Sequence, residues 1–291
     1  MKNKRETTKQ KKQKIKFILK RILAILLIIV ADTLFSYFMS DVVFDKWLGL
    51  YDKLDEGLLM LLGYVLVAGF LILLVAISKR MKILNFSWIG FKKGLFAGLV
   101  FLILSVVMMI YTLKGAIDSG LTLAPLWSAV AKSLAIIVGV GFAEELLFRG
   151  LVENILFDIF GRKTRKSVIL VVLITGILFG LWHLMNINAD GANWTYVIGQ
   201  VTSVIGLGVA FSAIYARSRS IWAVALIHGL WDFGSMIGNA LFVKDVGLLP
   251  FEAFESLPAM FGFVIGAIPC SLGVLYGMFL LRNKKKKEYL A

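Results

Sequence analysis

The sequence predicts an all-α, polytopic integral membrane protein: a bundle of about eight transmembrane helices with both termini cytoplasmic. Three observations carry this expectation. The 291 residues are 59% hydrophobic and only 17% charged, with a mean hydropathy of +0.85, whereas soluble domains carry about 25% charged residues. The charges also cluster between apolar runs of about 18–25 residues, the length that crosses a bilayer as helix. Finally, 27 of the 32 Lys and Arg fall in alternate connections between those runs. A soluble enzyme is excluded. One cysteine, Cys270, and two histidines also exclude a disulfide scaffold and a Cys/His zinc finger.

In chain order, the runs are 22–39, 58–77, 94–113, 126–148, 167–185, 195–216, 220–241 and 257–281. Before them lies a basic N-terminal tail, residues 1–21, and after them a basic C-terminal tail, residues 282–291. The first run is too long for a cleavable signal peptide, and no small-residue cleavage site follows it. Lys82–Lys93 mixes aromatic and basic residues and is expected in the inner interface. Small residues recur at Gly176/Gly180, Gly234/Gly238, Gly262/Gly266 and Gly273/Gly277, which permit close helix contact. Pro269 is expected to kink the last span.

The positive-inside rule gives the orientation. Basic residues fill the N-terminal tail, the 78–93 and 149–166 connections, Arg217 and Arg219, and the C-terminal tail. The alternate connections hold only Lys46, Lys53, Lys114 and Lys244, and the first of them is acidic, with Asp41, Asp45, Asp52, Asp55 and Glu56. The net charge of +14 therefore encodes topology and not a nucleic-acid partner. The N-terminal tail and Lys284–Lys287 are expected to rest on anionic headgroups of the cell membrane.

Ionisable residues inside spans are expensive unless they face protein or water, so they mark function. They are Asp32, Lys132, Glu144, Glu145, Arg149, His183, His228 and Asp232. Lys132 lies near enough to the end of its span to reach water, and Asp32 is expected to pair with a basic group. The other six form three patterns. In EELLFR at 144–149, Glu145 and Arg149 lie one helical turn apart and can pair, while Glu144 points about 100° away. Arg149 and Glu153 repeat that spacing. Glu144 is then a free carboxylate in a low dielectric, suited to act as a general base. FGLWH at 179–183 and HGLWD at 228–232 each place two polar or aromatic partners on one helix face.

Spans four and five run antiparallel around Gly161–Lys166, and Glu144 and His183 are each 19.5 residues from its centre. They are expected at similar depth, provided the helix of Glu144 continues through Leu151–Phe160. His228 and Asp232 follow Arg219 by 9 and 13 residues, roughly 14–20 Å at 1.5 Å per residue. One polar cavity open to the cytoplasmic side accommodates all three patterns. Trp182 and Trp231 are read as packing residues.

These motifs, in order and on three spans, resemble the signature of the CPBP family, the CAAX-protease and bacteriocin-processing or Abi proteins. The resemblance covers 144–232 by motif, within a core of about 126–241. It implies an intramembrane endopeptidase related to the type II prenyl-protein endopeptidases, catalytic through Glu144, His183, His228 and Asp232. Glu144 would activate water, His183 would help to hold it, and His228 with residue 232 would stabilise the oxyanion. Glu145 and Arg149 would support the first helix. The prenyl endopeptidases carry Asn where this chain has Asp232, and an ionised Asp cannot donate a hydrogen bond. Asp232 is thus either a protonated donor or a group that orients His228.

The resemblance implies no cofactor. The alternative is zinc on Glu144, His183, His228 and Asp232, an acceptable donor set although HExxH is missing. The implied partners are a peptide or membrane-protein substrate and the lipid bilayer. Bacteriocin or secreted-peptide processing and self-immunity are the implied settings. The rival functions are a non-enzymatic immunity or binding protein, and a proton-coupled transporter, for which no inverted repeat is visible.

Overall fold

A chain surrounded by lipid must satisfy its own backbone N–H and C=O groups, and apolar helices do so within each segment. The computed structural model describes residues 2–188, 193–243, 258 and 260–282. Among these there is no strand, and one isolated bridge joins Leu123 to Phe242. Eight helices of the described residues are long and apolar enough to cross a membrane. The expected Lys244 and Lys284–Lys287 charges lie outside the described residues.

Helix α1 spans Lys2–Tyr37 and continues as π-helical turns over Phe38–Trp47. The expected N-terminal tail is therefore the start of a helix. Its Lys, Arg and Gln residues are good helix formers, and residues 2–37 contain neither Gly nor Pro. Helix α2, Glu56–Ile77, begins at Asp55, whose side chain accepts the Gly57 N–H at 2.7 Å. The third expected run is divided: α3, Trp88–Ala97, and α4, Leu99–Asp118, meet at Gly98. A Cβ on Gly98 would lie 2.3 Å from Ile227 Cδ1, so a larger residue would require that side chain to shift. Helix α3 is two-faced, with Trp88 and Ile89 exposed and Gly90 and Gly94 packed against Ser218 and Ala223.

The fourth span is continuous from Leu126 to Phe160, as the antiparallel register required. It comprises α5, Leu126–Leu134; π-helical turns at Ala135–Val140; α6, Gly141–Glu145; further π-helical turns at Leu146–Val152; and α7, Glu153–Phe160. Gly161, at φ +75°, ends it, and the Thr164 side chain caps α8, Arg165–Trp182. A 3-10 helix follows over His183–Asn188. Helices α9, Trp194–Ser218, α10, Ile221–Leu241, and α11, Met260–Leu280, complete the order, with Pro269 inside α11.

The small-residue spacings act as predicted at most positions. Helix α9 sits between α8 and α11. Gly176 and Gly180 bring α8 onto Val209 and Ile205, while Gly262, Gly266 and Gly273 bring α11 onto Thr195, Gly199 and Gly206. Gly234 lets α10 approach Ser105 of α4. Apolar lipid gives helices no hydrophobic reason to associate, so this close van der Waals fit is what holds them together.

Two expectations need correction. Arg149 is no connection charge: the span runs on to Phe160, and Arg149 is fully buried. Asp32 is buried on α1, yet no ion pair joins it to a described cation, and its Oδ1 has no hydrogen-bond partner among the described residues. One and two turns earlier on its face stand Ile28 and Ile25, which belong to the apolar core. Lys132 reaches Glu56 at 2.5 Å in the first turns of their spans. Trp182 packs on Phe148 and Trp231 on Phe101, as packing residues should.

Candidate active site

The site begins with two glycines in the fourth span. A Cβ on Gly139 would lie 2.5 Å from Cβ of Tyr64, and one on Gly141 would lie 2.5 Å from the Ala225 carbonyl oxygen. Alternate positions thus admit α2 on one side and α10 on the other. Flanking π-helical turns, a feature frequent at functional sites, leave the short α6 carrying both glutamates. Glu145 turns inward and is fully buried, whereas the Glu144 side chain keeps 14% of its surface accessible.

Glu145 Oε1 accepts a hydrogen bond from Arg149 Nη1 at 2.9 Å and meets His228 Nδ1 at 2.8 Å. Arg149 Nη2 donates to the Gly208 carbonyl at 3.0 Å. The guanidinium also stands 4.4 Å from the Phe179 ring centre and 5.7 Å from that of Phe211. A buried cation is tolerated only when held this way, by charge-assisted hydrogen bonds and aromatic faces. Arg149 pairs with Glu145 and not with Glu153. Glu153 is itself fully buried, with no hydrogen-bond partner at either carboxylate oxygen among the described residues.

The other edge of His228 faces two more carboxylates. Nε2 lies 3.3 Å from Asp232 Oδ2 and 3.8 Å from Glu144 Oε2. A carboxylate without a proton only accepts. With acceptors at both ring nitrogens, either His228 carries a proton on each nitrogen or one carboxylate holds the second. Glu144, Glu145, Arg149, His228 and Asp232 therefore form one proton-sharing cluster contributed by two spans.

His183 closes α8 one element away. Its Nδ1 donates to the Phe179 carbonyl at 2.9 Å, since a carbonyl can only accept. That leaves Nε2 with its lone pair. The Phe179 ring centre is 4.9 Å from the His183 ring and 5.7 Å from the His228 ring. His183 thus joins the cluster through Phe179, without a hydrogen bond or ion pair to Glu144.

The family model for type II CAAX prenyl endopeptidase Rce1-like proteins matches residues 125–234. This segment belongs to the Rce1-like, CAAX-protease family. It contains all three motifs and every residue of the cluster, and the match supports, in general terms, a CAAX-type intramembrane protease. No curated protein matches the chain.

The zinc alternative would draw its ligands from Glu144, His183, His228 and Asp232. Among the described residues no three His, Cys, Asp or Glu side chains gather as a metal set. His228 directs both ring nitrogens at carboxylates.

Sequence reasoning missed several participants. Phe179 was noticed only for its spacing to His183, yet it stacks on Arg149 and adjoins both histidines. The Gly208 carbonyl and Phe211 carry no ionisable group and so no signal in the sequence. Tyr64, on α2 outside the Rce1-like segment, seats its ring on Gly139, five positions before Glu144. Other spans also carry tyrosines, Tyr111, Tyr196, Tyr215 and Tyr276, so nothing in the sequence singled it out.

Proposed function

We propose that the protein is an intramembrane endopeptidase that hydrolyses a peptide bond of a membrane-associated or lipidated peptide or protein, using water activated by Glu144. The observation that carries this is the corner at His228 Nε2, where Glu144 and Asp232 converge at 3.8 and 3.3 Å. Behind it, Nδ1 is anchored on Glu145.

In this mechanism Glu144 takes a proton from water as the water oxygen bonds to the peptide carbonyl carbon. The carbonyl electron pair moves to oxygen, and the Nε2–H of doubly protonated His228 donates to that oxyanion. His183 Nε2 accepts the second hydrogen of the water. The tetrahedral intermediate then expels the amine, which receives its proton from Glu144. Asp232 orients His228 and balances its charge, while Arg149 holds Glu145 in place. No nucleophilic side chain and no metal is needed.

The charge distribution favours both termini on the cytoplasmic side of the cell membrane, and substrates with a lipid or apolar helix would enter from the bilayer. Maturation of a bacteriocin or other secreted peptide, or self-immunity, is the setting that matches such chemistry. The test is a peptidomic comparison of cells carrying wild type or Glu144→Gln at equal membrane abundance. Products absent from the variant support proteolysis and reveal the substrate. Identical profiles with the biological phenotype retained would favour a binding or immunity protein instead.

A further inference from the structure

We propose that Tyr64 is a substrate-facing residue of this site, its hydroxyl serving as the second hydrogen-bond donor to the oxyanion. The inference rests on the proteolytic mechanism above and adds a residue from α2, outside the matched segment 125–234.

The placement follows from how α2 lies on the fourth span. The two helices run in the same direction: Glu56 pairs with Lys132 in their first turns, and a Cβ on Gly57 would lie 2.7 Å from the Ser128 carbonyl. Further along, a Cβ on Gly139 would meet Cβ of Tyr64 at 2.5 Å and its Cγ at 2.8 Å. Any side chain at 139 would push the phenol away, so glycine there admits the ring beside α6. Gly139 stands five positions before Glu144 on the same span, and Glu144 Oε2 is 3.8 Å from His228 Nε2, so the ring seated there is brought towards that corner. Its hydroxyl makes no hydrogen bond among the described residues, and it is not one of the sealed polar atoms without a partner. It is therefore a donor that no described residue engages.

Chemistry explains why a phenol belongs there. The corner is rich in acceptors, with carboxylates from Glu144, Glu145 and Asp232 and one ring N–H from His228 to face an oxyanion. An ionised Asp232 would repel the intermediate. A neutral O–H donates without adding charge, and two donors around one oxyanion is the common arrangement for acyl transfer.

The experiment compares wild type, Tyr64→Phe and Glu144→Gln in cells and then as purified protein, using the peptide whose products the wild type releases. Phe keeps the ring on Gly139, so membrane abundance and thermal unfolding should match wild type. The expected result is a fall in kcat of about 10²–10³-fold for Tyr64→Phe with KM within about threefold. A residue that merely packs would leave kcat unchanged. If Glu144→Gln is inactive and Tyr64→Phe is fully active, Tyr64 is no donor and the Glu144 mechanism stands. If Glu144→Gln alters nothing, the proteolytic mechanism falls and the role of Tyr64 falls with it.

Discussion

His228 Nδ1 lies 2.8 Å from Glu145 Oε1, although the two residues are 83 positions apart. This contact ties α10 to α6. It makes Glu145 the shared partner of Arg149 and His228, which separates the roles of two adjacent glutamates. Glu145 is sealed, with Oε1 engaged by both partners, while the Glu144 side chain keeps 14% of its surface accessible.

Arg149 should therefore matter for stability as well as activity. Arg149→Met removes the hydrogen bonds to Glu145 and Gly208 and strands a buried carboxylate. Thermal unfolding in detergent should show a loss of about 3–5 kcal/mol, and the double variant with Glu145→Leu should recover part of it. Equal instability of single and double variants would contradict the pairing.

Two glycines should behave differently. A Cβ on Gly229 would stand 2.0 Å from the Ile137 carbonyl oxygen, so Gly229→Ala must part α10 from the fourth span beside His228. Loss of cleavage is expected. Gly273 instead faces Gly206 between α11 and α9. Gly273→Ala should lower stability by about 1–3 kcal/mol and leave KM unchanged, as unfolding and kinetic measurements on the two variants will show.

The rate should fall at both ends of the pH range. Acid protonates Glu144 and removes the base; alkali removes the Nε2 proton of His228 and with it a donor. A bell-shaped kcat profile is expected, and Tyr64→Phe should keep its shape at a lower height. Zinc chelators should leave the rate unchanged. A chelator-sensitive rate restored by added zinc would overturn the metal-free mechanism.

Asp232→Asn should remain active within about tenfold, because its amide still holds His228 through the oxygen and gains a donor. Asp232→Leu should lose activity. Rates for the two variants distinguish an orienting Asp232 from one required as an acid.

Topology is testable with cysteine labelling. In intact cells an impermeant maleimide should label a cysteine at Ser119 and spare one at Lys163, both exposed positions. The reverse pattern would invert the orientation.

What was legible in the sequence follows from physics. The eight spans were visible because hydropathy and length alone select membrane helices, and Glu145 with Arg149 because four residues make one turn. The π-helical turns around α6 were not, since they arise from packing against α2 and α10. The start of α1 was hidden by charge, which marks water exposure and says little about helix formation. Arg149 was counted with the basic connection because its burial depends on Gly208 and Phe179, both distant in sequence. The Asp32 partner was inferred from cost alone, and among the described residues no cation meets it. Tyr64 carried no motif, and only the seat at Gly139 brings it to the site.

The most direct measurement of the central claim is single-turnover cleavage of the recovered peptide by purified protein in vesicles, for wild type and Glu144→Gln at matched stability. Removal of the base should slow the chemical step by about 10²–10⁴-fold with peptide binding retained. A Glu144→Gln protein that cleaves at the wild-type rate would contradict the account.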